Sequence, residues 1–109
     1  MDFKEYQKES RKTAVYPKLG DDFIFPTLGL AGEVGEVVEK VKKVIRDENG
    51  TMDSKSKEMI KKELGDVLWY MSQLASELGI DLDDIANDNI NKINSRKIRG
   101  KLNGEGDNR

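Results

Sequence analysis

Two hexapeptides decide the fold: Glu33-Val34-Gly35-Glu36-Val37-Val38 and Glu63-Leu64-Gly65-Asp66-Val67-Leu68. Each reads carboxylate, apolar, glycine, carboxylate, apolar, apolar, and the second follows the first at an offset of 30 residues. The same offset carries Val41 onto Met71, Val44 onto Leu74 and Ile45 onto Ala75. Apolar residues recurring at spacings of three and four mark amphipathic helices, so the repeat is a repeated helix, and valine's strand preference yields to that period. The centre of the repeat falls in Glu48-Asn49-Gly50, residues suited to a turn. Two helices joined by a short turn pack antiparallel, which brings residues equidistant from the turn level with each other. Glu33, Glu36, Glu63 and Asp66 are therefore predicted at one height, on the shoulder of a shared core stripe.

Outward from this pair, Pro26 suits the first turn of a helix running to about Asp47, with Val34, Val37, Val38, Val41, Val44 and Ile45 as its core stripe. Asp53 or Ser54 can cap the next, whose stripe runs from Ile60 to Leu78 and which Gly79 closes. Upstream, Asp2 can cap a first helix carrying Phe3 and Tyr6 and ended by Pro17 and Gly20. Downstream, Asp81 opens a shorter fourth helix with Leu82, Ile85, Ile90 and Ile93, weakening near Ile98. The prediction is all-α: a four-helix protomer over residues 1–98, then a flexible polar tail over 99–109, too rich in glycine and charge to pack.

Composition agrees. Of the 109 residues, 37% are charged, 36% are apolar and few are aromatic, the profile of slender helices with wide solvated faces. A small helical domain with little core of its own completes it by oligomerising, so a homodimer or homotetramer is expected. A net charge of −2 argues against a footprint for duplex nucleic acid or an anionic membrane. Neither a signal-peptide core in Met1 to Ser10 nor a membrane-spanning run is present, which makes the cytoplasm the expected compartment. With no cysteine and no histidine, disulfides, thiolate nucleophiles, structural zinc and imidazole bases are excluded.

Four carboxylates in one partly dry cluster repel and need a counter-charge, which a divalent cation supplies. Oxygen-only ligands favour magnesium, with manganese as a substitute, over zinc or copper. Gly35 and Gly65 each cost a helix about 1 kcal/mol relative to alanine, which points to something approaching closely between the acids. The competing reading is ordinary solvated charge, weakened by the mirrored spacing. Magnesium so held keeps sites for a phosphate-bearing substrate, and basic groups should lie nearby. Lys42, Lys43 and Arg46 occupy the end of the second helix, while Asn89, Lys92 and Arg96 follow one another along the fourth. For each of these, surface solvation is the rival reading. Trp69 and Tyr70 adjoin the second acid motif and would flank a base or sugar, or pack in the core.

These residues resemble the MazG-type all-α nucleoside triphosphate pyrophosphohydrolases. The family pattern of Glu-x-x-Glu, spacer, Glu-x-x-Asp is matched by Glu33, Glu36, Glu63 and Asp66 with a spacer of 26 residues. The likeness runs from Leu28-Gly29-Leu30-Ala31-Gly32-Glu33 through Asp66-Val67-Leu68-Trp69-Tyr70 to Asn89-Ile90-Asn91-Lys92. It implies magnesium at the four acids, substrate contacts from Asn89 and Lys92, assembly through the helices, and hydrolysis of a nucleoside triphosphate to monophosphate and pyrophosphate. Many members open the first motif with two adjacent glutamates, where this chain has Gly32 before Glu33. Two other readings stand beside it: a relative specific for dUTP or phosphoribosyl-ATP, and a non-enzymatic helical binding subunit.

Overall fold

The computed structural model describes residues 1–18 and 21–100. Its described residues form four α-helices and no strand: α1 (Phe3–Arg11), α2 (Ile24–Asp47), α3 (Ser54–Glu77) and α4 (Leu82–Ile98). The all-α expectation is met. Arg99 and Gly100 follow directly on α4, while the rest of the expected tail, like Gly20, lies outside the described residues.

The centre of the fold is the α2–α3 hairpin, two helices of 24 residues each. At 1.5 Å per residue each is about 36 Å long. The turn forms where the repeat is centred. The amides of Glu48 and Gly50 both donate to the Val44 carbonyl, at 3.0 and 3.1 Å, and Asn49 takes the left-handed conformation with φ 54°. Asp53 then caps α3 by accepting from the Ser56 amide at 2.7 Å. At the far end Gly79, with φ 68°, stops the helix in a conformation that a β-carbon would strain. Helix α2 starts two residues earlier than Pro26 suggested, because any of the first few helical positions tolerates a missing N–H.

Helix α1 is shorter than expected. Asp2 caps it by accepting from Glu5 N at 2.8 Å, but it ends at Arg11 rather than near Pro17. Val15 is β-branched and Tyr16 precedes proline, and both conditions disfavour helix. The chain instead turns so that Tyr16 lands on α3, where its hydroxyl donates to Glu77 at 2.7 Å.

Helix α1 packs on α3, and α4 packs on α1. The α1–α3 seam is polar: the Ser10 and Ser72 hydroxyls share a 2.9 Å hydrogen bond, and Gln73 donates to Ser10 at 3.1 Å. Gln7 ties three elements together, donating to Ser76 Oγ at 3.1 Å and the Ile80 carbonyl at 2.9 Å while accepting from the Leu82 amide at 2.9 Å. Ser72 and Gln73 are 0% exposed.

The aliphatic stripes, expected to be core, fare differently. Val44, Ala75 and Leu82 are buried, but Val34, Val38, Val41 and Ile45 on α2 and Leu64, Met71 and Leu78 on α3 are exposed, Val38 by 61% and Ile45 by 66%. The physical reason is arc width. Each stripe is broader than the strip its partner helix covers, and at 100° per residue the surplus of both helices falls on one side of the pair.

Candidate metal centre

The hairpin delivers its acids to one place. Glu33 from α2 and Glu63 and Asp66 from α3 each offer a carboxylate oxygen, and these oxygens all lie within 4.8 Å of one another. Glu33 and Glu63 are half-buried and Asp66 is exposed. Three of the four expected acids therefore meet. Glu36, one turn further along α2, is exposed and stands outside that group, although its charge still acts on Glu33.

The electrostatics show the cost of the gathering. Burial pushes the Glu33 carboxyl above its ordinary range, and the charges of Asp66 and Glu63, a hydrogen bond with Glu63 and the charge of Glu36 push it further in the same direction. Crowded negative charge that makes a carboxyl harder to ionise is charge that a divalent cation would offset. The donor set is oxygen-only, with no imidazole or thiolate in the chain, and so fits a hard ion. Glu33, Glu63 and Asp66 would hold it.

The remaining candidates are distributed unevenly. Lys42 is exposed and paired with Glu39 at 3.1 Å, and nine residues along a helix place it on the opposite face from Glu33. Arg46 is committed to its neighbour Asp47 at 2.7 and 2.9 Å. Asn89 is exposed, Lys92 half-buried and Arg96 buried, on a helix that packs chiefly on α1. Trp69 donates its indole N–H to Thr13 Oγ1 at 2.8 Å and meets Tyr16 and Tyr70 edge to face.

Gly35 and Gly65 do not take a close approach: a β-carbon at either would meet nothing within 4 Å. The glycine that does is Gly29, against the ring of Tyr70. Composition gave no means of choosing among these glycines, because the choice depends on which helix-pair positions face inward. In the sequence Tyr6 stands only as an apolar residue of the first helix. Its phenol is pushed up by burial and then by the charge of Asp66, so α1 lies within electrostatic reach of the acids.

A helical hairpin that gathers carboxylates from both arms into an oxygen-only cluster defines a class of all-α protein with an acidic centre. Residues 26–99 match the MazG nucleotide pyrophosphohydrolase domain, and the chain belongs to that family. It is also 45% identical over 109 residues to the Gene 37 protein of Mycobacterium phage L5, an alignment covering 95% of this chain and 96% of that one. No solved structure matches the chain. No helix among the described residues is long and apolar enough to cross a membrane.

Proposed function

We propose that the protein is a magnesium-dependent nucleoside triphosphate pyrophosphohydrolase, converting a triphosphate and water to the monophosphate and pyrophosphate in the cytoplasm. The observation that carries this reading is the convergence of Glu33, Glu63 and Asp66 within 4.8 Å, with Glu33 raised above its ordinary range by burial and then by the charges of its neighbours. A magnesium ion bound there would offset the charge of the phosphates and make a water more acidic. Glu33 and Glu63, from opposite arms of the hairpin, fix the position of that charge against a scaffold of two long helices. Asp66 and Glu36 lie at the exposed edge of the cluster, where a triphosphate enters from solvent. Asn89, Lys92 and Arg96 would meet the phosphates or sugar, and Trp69 would support the base through Tyr70 rather than by its own N–H.

The proposed assembly is a homodimer or homotetramer, supported by the exposed aliphatic stripes of α2 and α3. The test incubates the purified protein with canonical and modified triphosphates and magnesium and identifies the products by chromatography. Monophosphate plus pyrophosphate is expected, abolished in Asp66→Asn while the helical circular dichroism signal is retained. Diphosphate plus phosphate, or full activity in Asp66→Asn, would refute the reading. A panel with no turnover and no magnesium-dependent nucleotide binding would favour a binding subunit.

A further inference from the structure

We propose that Gly29 and Tyr70 form a spacer that fixes the separation of α2 and α3 at the carboxylate cluster and thereby sets its affinity for a divalent cation; the inference rests on the metal reading above. A β-carbon at Gly29 would lie 2.2 Å from Tyr70 Cε1 and 2.5 Å from both Cδ1 and Cζ, so the ring lies directly on the α2 backbone. At Gly32, Gly35 and Gly65 a β-carbon would meet nothing within 4 Å. Those three glycines are exposed and Gly29 is half-buried, so Gly29 is the one at which a side chain of the opposite helix meets the α2 backbone.

That contact adjoins the acids. Gly29 precedes Glu33 by four residues on α2, and Tyr70 follows Asp66 by four on α3. In an antiparallel pair both steps run the same way, so the contact lies about 6 Å along the axis from the cluster. Alanine is favoured over glycine in a helix by about 1 kcal/mol, so Gly29 gives up propensity where the ring needs the space.

The ring has little freedom to swing aside. Trp69 meets it edge to face at 5.0 Å, and Trp69 is itself fixed by its hydrogen bond to Thr13. Tyr16 closes on Trp69 edge to face at 6.2 Å and stacks on Phe25 at 5.5 Å. Because this aromatic chain backs the ring, an added methyl group at residue 29 is accommodated by moving α2 away from α3, by roughly 1.3 Å or more to reach van der Waals contact. Magnesium and manganese demand close octahedral geometry, and an error of that size between ligands on opposite helices weakens binding. Gly29 and Tyr70 are positioning residues, acting through Glu33, Glu63 and Asp66.

The experiment titrates manganese into the full-length protein and follows the free ion by electron paramagnetic resonance, below the melting temperature of each variant. Wild-type protein is expected to bind, Tyr70→Phe to bind equally, and Gly29→Ala to bind at least about tenfold more weakly. Gly29→Ala combined with Tyr70→Leu, which removes the clash, is expected to recover most of the affinity. A general loss of stability would lower melting temperatures without this pattern of recovery. Wild-type affinity in Gly29→Ala, or a loss in Tyr70→Phe equal to that in Gly29→Ala, overturns the spacer. Should Gly29→Ala not fold, Tyr70→Trp overfills the same contact from the α3 side, and wild-type affinity there overturns the spacer equally. Absence of binding by the wild-type protein overturns the metal reading itself, and the spacer with it.

Discussion

Helix α3 has two faces that reverse the usual relation between polarity and burial. Toward α1 it presents Ser72, Gln73 and Ser76, and the first two are 0% exposed. On its open side, Leu64, Met71 and Leu78 are exposed together with the valines of α2. The buried polar face is stable because its groups are paired: Gln73 donates to Ser10 and accepts from Arg11 Nη1 at 3.2 Å, so desolvation is matched by hydrogen bonds. The exposed apolar face has no such compensation and remains in contact with water at an area-dependent cost. An apolar stripe therefore does not by itself say that the rest of the same chain covers it. The sharpest way to break this comparison is to place a charge on the open face. Val38→Asp would bury a carboxylate in the proposed assembly interface at a cost on the order of 3 kcal/mol or more, and is expected to yield monomers by sedimentation. If the face stays in water, the same change costs within about 0.5 kcal/mol and leaves the mass unaltered.

The second perturbation acts on the buried face. Gln73→Leu keeps approximate volume but removes the donor to Ser10 and the acceptor for Arg11. The expected loss is about 1–3 kcal/mol in urea unfolding, with faster hydrogen exchange in the α1 amides as that helix loosens. An unchanged midpoint would mean that packing alone secures α1 and that the polar seam is incidental.

Much of this was legible in the residues. The mirrored acid motifs located the hairpin, its turn at Glu48 to Gly50 and the caps at Asp2 and Asp53, because helix periodicity and capping are local signals. The meeting of Glu33 with Glu63 and Asp66 followed from counting residues to the turn. What was not legible depends on rotation about the helix axes. A rotation of a few tens of degrees decides that Glu36 stands apart, that Gly29 and not Gly35 takes the close approach, and that Val34 faces solvent. The burial of Ser72 and Gln73 was hidden for another reason: a polar residue reads as exposed unless its partners are known, and Gln7 and Ser10 lie more than 60 residues away in the chain. The early end of α1 had its signal in Val15-Tyr16-Pro17, but only the landing of Tyr16 on Glu77 shows where the chain goes instead.

The smallest expected effect lies at the rim of the buried face, and it is visible in pH rather than in midpoint. Glu77 accepts from the Tyr16 hydroxyl and from Arg11, and these two hydrogen bonds, the one from Tyr16 foremost, hold its carboxyl below the ordinary glutamate range. A depressed folded-state value means that the folded protein binds the proton less readily than the unfolded chain. The resulting stability is present above the ordinary glutamate value of about 4.3 and is lost as pH falls through the lower folded value. Arg11 is 43% exposed on its side chain, so water screens the pair and the contribution at neutral pH should stay below about 1 kcal/mol. Glu77→Gln keeps an acceptor for Tyr16 but cannot titrate. Its stability should therefore fall less steeply than that of the wild type between pH 5 and pH 3, a difference read from urea midpoints across that range. Parallel curves would place the acid sensitivity elsewhere and leave the neutral hydrogen bonds of Ser10, Ser72 and Gln73 to secure α1 without help from its charged rim.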